Sequence, residues 1–177
     1  MVLAFPDLAA SGAYKFVLVL HILSAIVGFG ATFLNGLYAR EIQKRPGREG
    51  IAVYEANFTV SGVGEYFIYA VAVFGVLLVL LSDDVYEFTD TFIWLSILLY
   101  VIALSLVHAV LLPAEKRMGV LMREMADGPP PGGAEASGPP PQVAELEQLG
   151  KRAGAIGATL NLFLVVILFL MIWQPGV

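Results

Sequence analysis

The stretch FVLVLHILSAIVGFGATFLNGLYAR, from Phe16 to Arg40, contains no charged residue before its last position and a single histidine, His21. A helix needs roughly 20 residues to cross the hydrocarbon core of a bilayer. The stretch is long enough to do so. It therefore predicts a membrane span that holds an ionisable imidazole away from bulk water.

Three further apolar runs follow, and the whole chain has the composition of a membrane protein. Of its 177 residues, 58% are hydrophobic and 14% are charged, whereas soluble domains carry about 25% charged residues. Lipid offers no hydrogen-bond partners to an exposed backbone, so each run is expected to be helical. The sequence predicts one all-α domain over residues 1–177, an integral membrane four-helix bundle with spans at about 13–39, 60–82, 91–112 and 153–173.

Basic residues cluster in two of the connections between the predicted spans. They are Arg40, Lys44, Arg45 and Arg48 in the first connection, and Lys116, Arg117, Arg123, Lys151 and Arg152 in the third. The second connection, DDVYEFTD, is acidic. Because cytoplasmic loops are enriched in Lys and Arg, both termini are expected outside and both basic connections in the cytoplasm. The residues before Tyr14 are expected to form a short outer segment, and the first span to be retained.

The third connection is the longest. Its middle, GPPPGGAEASGPPP (128–141), combines two proline triplets with glycine and predicts a mobile linker. The segment PAEKRMGVLMREMADG before it places Met118, Leu121, Met122 and Met125 at helical spacing. That spacing predicts a helix that extends span three or lies on the inner membrane surface. The segment VAELEQLGKR after it predicts an amphipathic lead-in to span four.

Polar and small residues form a stripe on three of the predicted helices. At 100° per residue the stripe of span one contains His21, Ser24, Gly28, Thr32 and Asn35. Spans two and four carry Gly62, Glu65, Tyr69 and Ala72, and Gly150, Gly154, Gly157 and Asn161. Lipid would leave the polar groups unsatisfied, so these stripes are expected to face other helices. Their glycines predict close helix packing.

The intramembrane polar residues also divide by depth. Asn35, Glu65, His108 and Asn161 belong to the half near the basic connections, whereas His21 lies in the outer half with Tyr100 at similar depth. His21 and His108 differ in height by about 13 Å at 1.5 Å per residue. One iron ion is therefore not expected to bind both histidines within one copy.

Two interpretations of His21 remain open at this point. It binds a cofactor or relays protons, as intramembrane histidines often do, or it is a neutral imidazole bonded to Tyr100 or to a backbone carbonyl. For His108 a structural or interfacial role is favoured. Glu65 is expected either to be solvated or to pair with His108 or Arg40.

The string LHILSAIVGFGATFL in span one resembles the L-H-x-x-x-A…G opening helix of several groups of small bacterial membrane proteins. These groups are the copper-resistance protein D family, the HemJ-type protoporphyrinogen oxidases, and a four-helix family defined as a domain of unknown function. Pro113 after span three and the ending FLMIWQPGV are most similar to the last of these. Its usual terminus is Leu-Met…Lys-Pro-Gly, and here Gln174 stands in place of the lysine. The resemblance implies a multi-pass protein of the bacterial cytoplasmic membrane.

The resemblance also implies a cofactor. In the HemJ-type proteins the histidine of span one is associated with b-type haem, and His21 is the matching position. The resemblance therefore implies that His21 is a haem and metal ligand. Those enzymes depend on an intramembrane lysine as well, and no lysine lies inside a predicted span here. Their oxidation chemistry is therefore not carried over. The chain also lacks cysteine, a nucleophile with a nearby base and a metal-spaced ligand set, which favours a non-enzymatic protein.

Three functions follow as hypotheses. The first is a bundle that binds haem b or another planar cofactor through His21, with a second ligand from the other chain of a homodimer. The second is an oligomeric permeation protein for ions or small solutes, with a path along His21, Asn35, Glu65 and Asn161. The third is an accessory or scaffold subunit that packs against a larger membrane complex through its glycines. Membrane lipids are expected as partners in each case, and nucleic acid is not.

Overall fold

The computed structural model describes residues 12–45, 47–128 and 141–176, and every regular element in those ranges is helical. The elements are α1 (Gly12–Lys44), α2 (Arg48–Leu80), α3 (Thr91–Leu106), a π-helical turn (Val107–Leu111), α4 (Leu112–Asp127) and α5 (Pro141–Trp173). The π turn joins α3 and α4 into one long helix, Thr91–Asp127. Most of the predicted outer segment and of the predicted linker 128–141 lies outside the described residues.

The outer surface of the bundle is apolar. The side chains of Phe16, Ile26 and Ile172 are 64%, 64% and 71% exposed, and all four long helices have a length and composition that can cross a membrane. Contact of such an apolar surface with water would be unfavourable, whereas contact with lipid tails is not. The predicted four apolar helices are therefore confirmed, and the chain is a multi-pass membrane protein.

The helices are longer than the predicted spans. α1, α2 and α5 each contain 33 residues, about 50 Å at 1.5 Å per residue, whereas the hydrocarbon core is about 30 Å thick. The predicted spans at about 60–82 and 153–173 fall largely within α2 and α5, which begin earlier, because hydropathy marks the edge of the bilayer and not the end of hydrogen bonding. The connection between α1 and α2 is reduced to residues 45–47.

The excess length gathers at one end of the bundle. We call this part the helical extension; it comprises residues 40–44 of α1, 48–58 of α2, all of α4 and 141–152 of α5. Three interhelical ion pairs cross it: Arg48–Asp127 at 3.3 Å, Arg123–Glu55 at 2.8 Å, and Arg117–Glu145 at 2.8 Å. They are exposed, so each contributes little to stability.

The extension also has a small core of its own. Leu121 on α4 is fully buried, at 0% exposure, and Gly119 lies against the ring of Tyr54 from α2. The Tyr54 hydroxyl donates a hydrogen bond of 2.8 Å to the carbonyl of Glu115. The methionine-rich segment is thus a helix that extends span three, one of the two predicted forms, and VAELEQLGKR is helical as predicted.

The opposite end is closed by the acidic connection, residues 81–90. Ser82 is fully buried there; its hydroxyl lies 2.7 Å from the carbonyl oxygen of Val79, and it accepts a 3.1 Å bond from the backbone N–H of Tyr86. Beneath this loop the buried side chains of Phe92 and Ile93 from α3 pack on Leu170 of α5. The loop therefore ties α2 to the α3–α5 pair.

The closest helix contact joins α1 and α2, at glycines. A Cβ on Gly28 would lie 3.0 Å from the backbone nitrogen of Ile68, and a Cβ on Gly64 would lie 2.6 Å from the Cβ of Ala31. The prediction of close packing holds for Gly28. It was wrong, within the described chain, for Gly62, Gly150, Gly154 and Gly157, where an added Cβ would meet nothing within 4 Å.

The other helices complete the bundle around this pair. α5 contacts α3, α4 and α1 and so closes the bundle, and α2 packs against α4. Between α2 and α3 the described contact is made by a long side chain, since the Tyr100 hydroxyl donates a 3.3 Å bond to the Ile68 carbonyl.

Candidate functional site

His21 lies on the face of α1 that meets α2. Its Nδ1 is 3.0 Å from the carbonyl oxygen of Val71, and a Cβ on Gly75 would lie 3.3 Å from its Cε1. A carbonyl only accepts hydrogen bonds, so Nδ1 carries the proton in this contact. The bond to a backbone carbonyl is one of the two bonds predicted for a neutral imidazole; Tyr100 bonds to Ile68 instead.

The rest of the polar stripe of α1 also faces α2. Ser24 is 4% exposed, and Asn35 accepts a 3.0 Å hydrogen bond at its Oδ1 from the hydroxyl of Ser61. Thr32 turns back on its own helix and donates to the carbonyl of Gly28 at 3.2 Å. The stripe is therefore the α2-facing surface of α1, as the periodicity predicted.

A second polar group lies on another face of α2. The Tyr69 hydroxyl donates a hydrogen bond to Glu65 Oε1, and His108 Nε2 is 3.0 Å from that carboxylate oxygen and 3.0 Å from the Tyr69 oxygen. His108 Nδ1 is 2.9 Å from the carbonyl oxygen of Leu104, one turn earlier. We call Glu65, Tyr69 and His108 the acid–base cluster. Of the two partners predicted for Glu65, His108 and Arg40, the one that contacts it is His108.

The π turn brings His108 to this position. It spans Val107–Leu111, directly before α4, which carries Pro113 in its first turn. Proline has no N–H to bond the carbonyl four residues earlier, and its ring crowds that carbonyl. A wider turn before the proline relieves the crowding, and single π turns of this kind are frequent at functional sites.

The acid–base cluster opens to a pocket. The pocket has a volume of about 220 Å³ and is lined by Gly62, Glu65, Tyr66 and Tyr69. The side chain of His108 is 46% exposed. The cluster is thus open to the bilayer side of α2 and is not sealed inside the bundle.

The predicted site residues do not form one site. His21 bonds to Val71, Asn35 to Ser61, and Glu65 to the acid–base cluster, and no hydrogen bond between side chains of the described ranges links these three groups. The Oδ1 of Asn161 is buried and accepts no hydrogen bond from any residue that the structure describes. Sequence reasoning did not select Tyr69 as a site residue. Its position four residues after Glu65 was the available signal, because such residues are neighbours on a helix.

The described residues differ in how well they suit a metal ion and a haem group. In the part of the chain that the structure describes, no three residues of the types His, Cys, Asp and Glu are grouped as metal ligands. His21 alone has the arrangement of a haem ligand: Nδ1 is held by a carbonyl, and Nε2 has no hydrogen bond to a described residue. Metal-binding histidines commonly donate their other N–H in this way. One axial ligand to haem iron therefore fits here.

The helices and these two polar sites define a multi-pass integral membrane protein with four long helices and two separate intramembrane histidine sites. Comparisons of the chain with protein-family models, with curated proteins and with solved structures return no match.

Proposed function

We propose that the protein is a non-enzymatic helical bundle of the bacterial cytoplasmic membrane that binds b-type haem through Nε2 of His21. The observation that supports this is the hydrogen bond from Nδ1 to the Val71 carbonyl, which leaves Nε2 as the nitrogen available to iron. Haem held by histidine serves ligand binding or electron transfer. The resemblance of span one to the HemJ-type and copper-resistance groups adds support.

The protein's own residues contribute position and exclusion of water. The Val71 carbonyl fixes the tautomer and the plane of the His21 ring, and the ring packs against Gly75, where an added Cβ would lie 3.3 Å from Cε1. The apolar surface of the spans keeps bulk water away from the ligating nitrogen. A second axial ligand would come from His21 of another copy if span one also lines the interface of a parallel two-fold dimer, which keeps equivalent residues at equal depth.

The orientation in the membrane belongs to the same proposal. The helical extension holds nearly all of the lysines and arginines, and the opposite end carries the acidic loop. The positive-inside bias then places the extension in the cytoplasm and both termini outside. His21 would lie in the outer half of the bilayer.

The absorption spectrum of detergent-extracted protein from haem-replete cells tests the proposal. We expect a Soret band in the wild type that is lost in His21→Ala, because the sole protein ligand of this copy is removed. His108→Ala is the matched control and should keep the band. A colourless wild type, or a band of full height in folded His21→Ala, would contradict the proposal; circular dichroism and gel filtration establish that the variant is folded.

The two other functions predicted from the sequence have less support. A permeation path along His21, Asn35, Glu65 and Asn161 requires these groups to be connected, and they bond to different partners. An accessory role would use the open glycines of α5, which contact nothing within the described chain. Neither hypothesis has an observation as specific as the bond that orients His21.

A further inference from the structure

The acid–base cluster needs one more proton for its hydrogen bonds than neutral Tyr69, neutral His108 and ionised Glu65 can provide. The Leu104 carbonyl can only accept, so His108 Nδ1 carries a hydrogen in the 2.9 Å contact. Nε2 of a neutral ring would then be an acceptor. It lies 3.0 Å from Glu65 Oε1, which is also an acceptor when ionised.

The hydroxyl of Tyr69 cannot resolve this conflict. It has a single hydrogen, which it donates to Glu65 Oε1, and its oxygen lies 3.0 Å from His108 Nε2. One hydrogen cannot serve both the contact from Tyr69 to Glu65 and the contact from Glu65 to His108. An additional proton must therefore lie between Glu65 and His108, on the imidazole or on the carboxyl group.

This proton makes the pair electrically neutral. With it, the pair is either imidazolium with carboxylate or imidazole with carboxylic acid, and the summed charge is zero in both forms. Without it, the pair would carry one negative charge. Along α2, Glu65 lies about 15 Å from Glu55, the preceding charged residue of the helix. Unpaired charges are costly inside a bilayer.

The pair differs from the other ion pairs of the described ranges. In each of those the cation is lysine or arginine, and neither loses its proton readily near neutral pH. In the acid–base cluster the basic partner is a histidine, a type of side chain that can gain and lose a proton under physiological conditions. The other titratable groups beside Tyr69 are Tyr66 and Tyr100.

Access to the cluster is the second requirement for exchange. Glu65 and Tyr69 form part of the wall of the open 220 Å³ pocket, and His108 is 46% exposed. The pocket is large enough for several water molecules, each of which takes about 30 Å³ in the liquid. A proton held between Glu65 and His108 therefore lies beside a pocket that is open at the protein surface.

We propose that Glu65, Tyr69 and His108 form an exchangeable proton-binding site inside the bilayer, which holds one proton between the Glu65 carboxylate and the His108 imidazole and exchanges it with water in the adjoining pocket. The proton leaves as hydronium and returns from it, so the exchange involves no other reactant. Tyr69 is a positioning residue that holds the carboxylate toward the imidazole. The site is independent of haem binding at His21.

Nitrogen NMR of ¹⁵N-histidine-labelled protein in lipid nanodiscs tests the proposal. The chain has two histidines, so the His21→Gln variant leaves only the signals of His108. At neutral pH we expect a proton on Nδ1 and a second one on or shared with Nε2, and an exchange cross-peak between that second proton and water. In Glu65→Gln the amide supplies its own hydrogen to Nε2, so the second proton should be lost.

The control variant is Glu55→Gln, which removes an exposed carboxylate of α2 whose ion pair is with Arg123. It should leave the His108 signals unchanged. The proposal is overturned if no proton lies between Nε2 and the Glu65 carboxyl group, on either partner, or if that proton fails to exchange with water over hours, as the proton of a sealed structural ion pair would. Both readings come from protein that retains the cluster, so the test stands even if Glu65→Gln does not fold.

Discussion

Replacing Gly28 by leucine is expected to push α1 away from α2 and to lower the free energy of unfolding by about 3 kcal/mol or more. Even a Cβ at this position would lie 3.0 Å from the backbone nitrogen of Ile68 and 3.2 Å from the carbonyl carbon of Phe67. Those atoms belong to the main chain of α2 and cannot move aside as a side chain can. Inside lipid the contact is stabilised by close packing, since burial of apolar surface gives little free energy there.

Gly30→Leu is the matched control for this prediction. Gly30 is two residues away on the same helix and exposed, and a Cβ there would meet nothing within 4 Å. Reversible unfolding in mixed micelles, followed by circular dichroism, should show a clear loss of stability for Gly28→Leu and almost none for Gly30→Leu. Equal stability of the two variants would mean that the backbones of α1 and α2 do not approach each other at Gly28.

The number and positions of the spans could be predicted from the sequence, because hydropathy reports the medium around a helix. The ends of the helices could not. Charged residues outside the bilayer continue the helices through contacts between side chains three or four residues apart, as between Glu41 and Lys44 and between Glu147 and Lys151. Loss of hydropathy at residue 40 or 153 therefore marks the membrane surface alone.

The polar stripe of α1 faces another helix, as predicted, whereas the face of α2 that meets it was not selected from the sequence. The predicted stripe of α2, which includes Gly62 and Glu65, faces the pocket and His108. The face that meets α1 contains Gly64 and Ile68, which differ little in polarity from the lipid-facing residues beside them. Helix packing in lipid does not require a difference in hydrophobicity, so periodicity does not reveal this face.

The acid–base cluster was predicted only as one alternative for Glu65, and the π turn explains why. Counting at 100° per residue places His108 off the polar face of an ideal helix. The π turn at Val107–Leu111 holds more residues per turn and changes this register. Pro113 was the visible signal of an irregular turn, but a proline in the first turn of a helix is also compatible with regular geometry.

The second large effect is expected in the helical extension, where water surrounds the helices and burial of apolar groups does stabilise. Among the described residues Leu121 is the largest side chain that is fully buried, at 0% exposure, and it lies on α4 between the charged residues Arg117 and Arg123. Leu121→Ala should lower the stability of the extension by about 3 kcal/mol, from lost transfer free energy and from the cavity that remains. The amides of α4 should then exchange with solvent roughly a hundred times faster.

Val120→Ala is the control for this experiment, because Val120 precedes Leu121 on the same helix and is 41% exposed. Its truncation should change amide exchange in α4 by less than about five-fold, a cost below 1 kcal/mol. Amide exchange in the membrane spans should be unaffected by either variant. The π turn lies between α3 and α4, and the spans are held by other contacts, such as the packing of Gly28 on Ile68. If Leu121→Ala and Val120→Ala behaved alike, the burial of Leu121 would not be what stabilises α4, and the prediction would be wrong. We expect a difference, because exposed ion pairs alone contribute too little to order a helix in water.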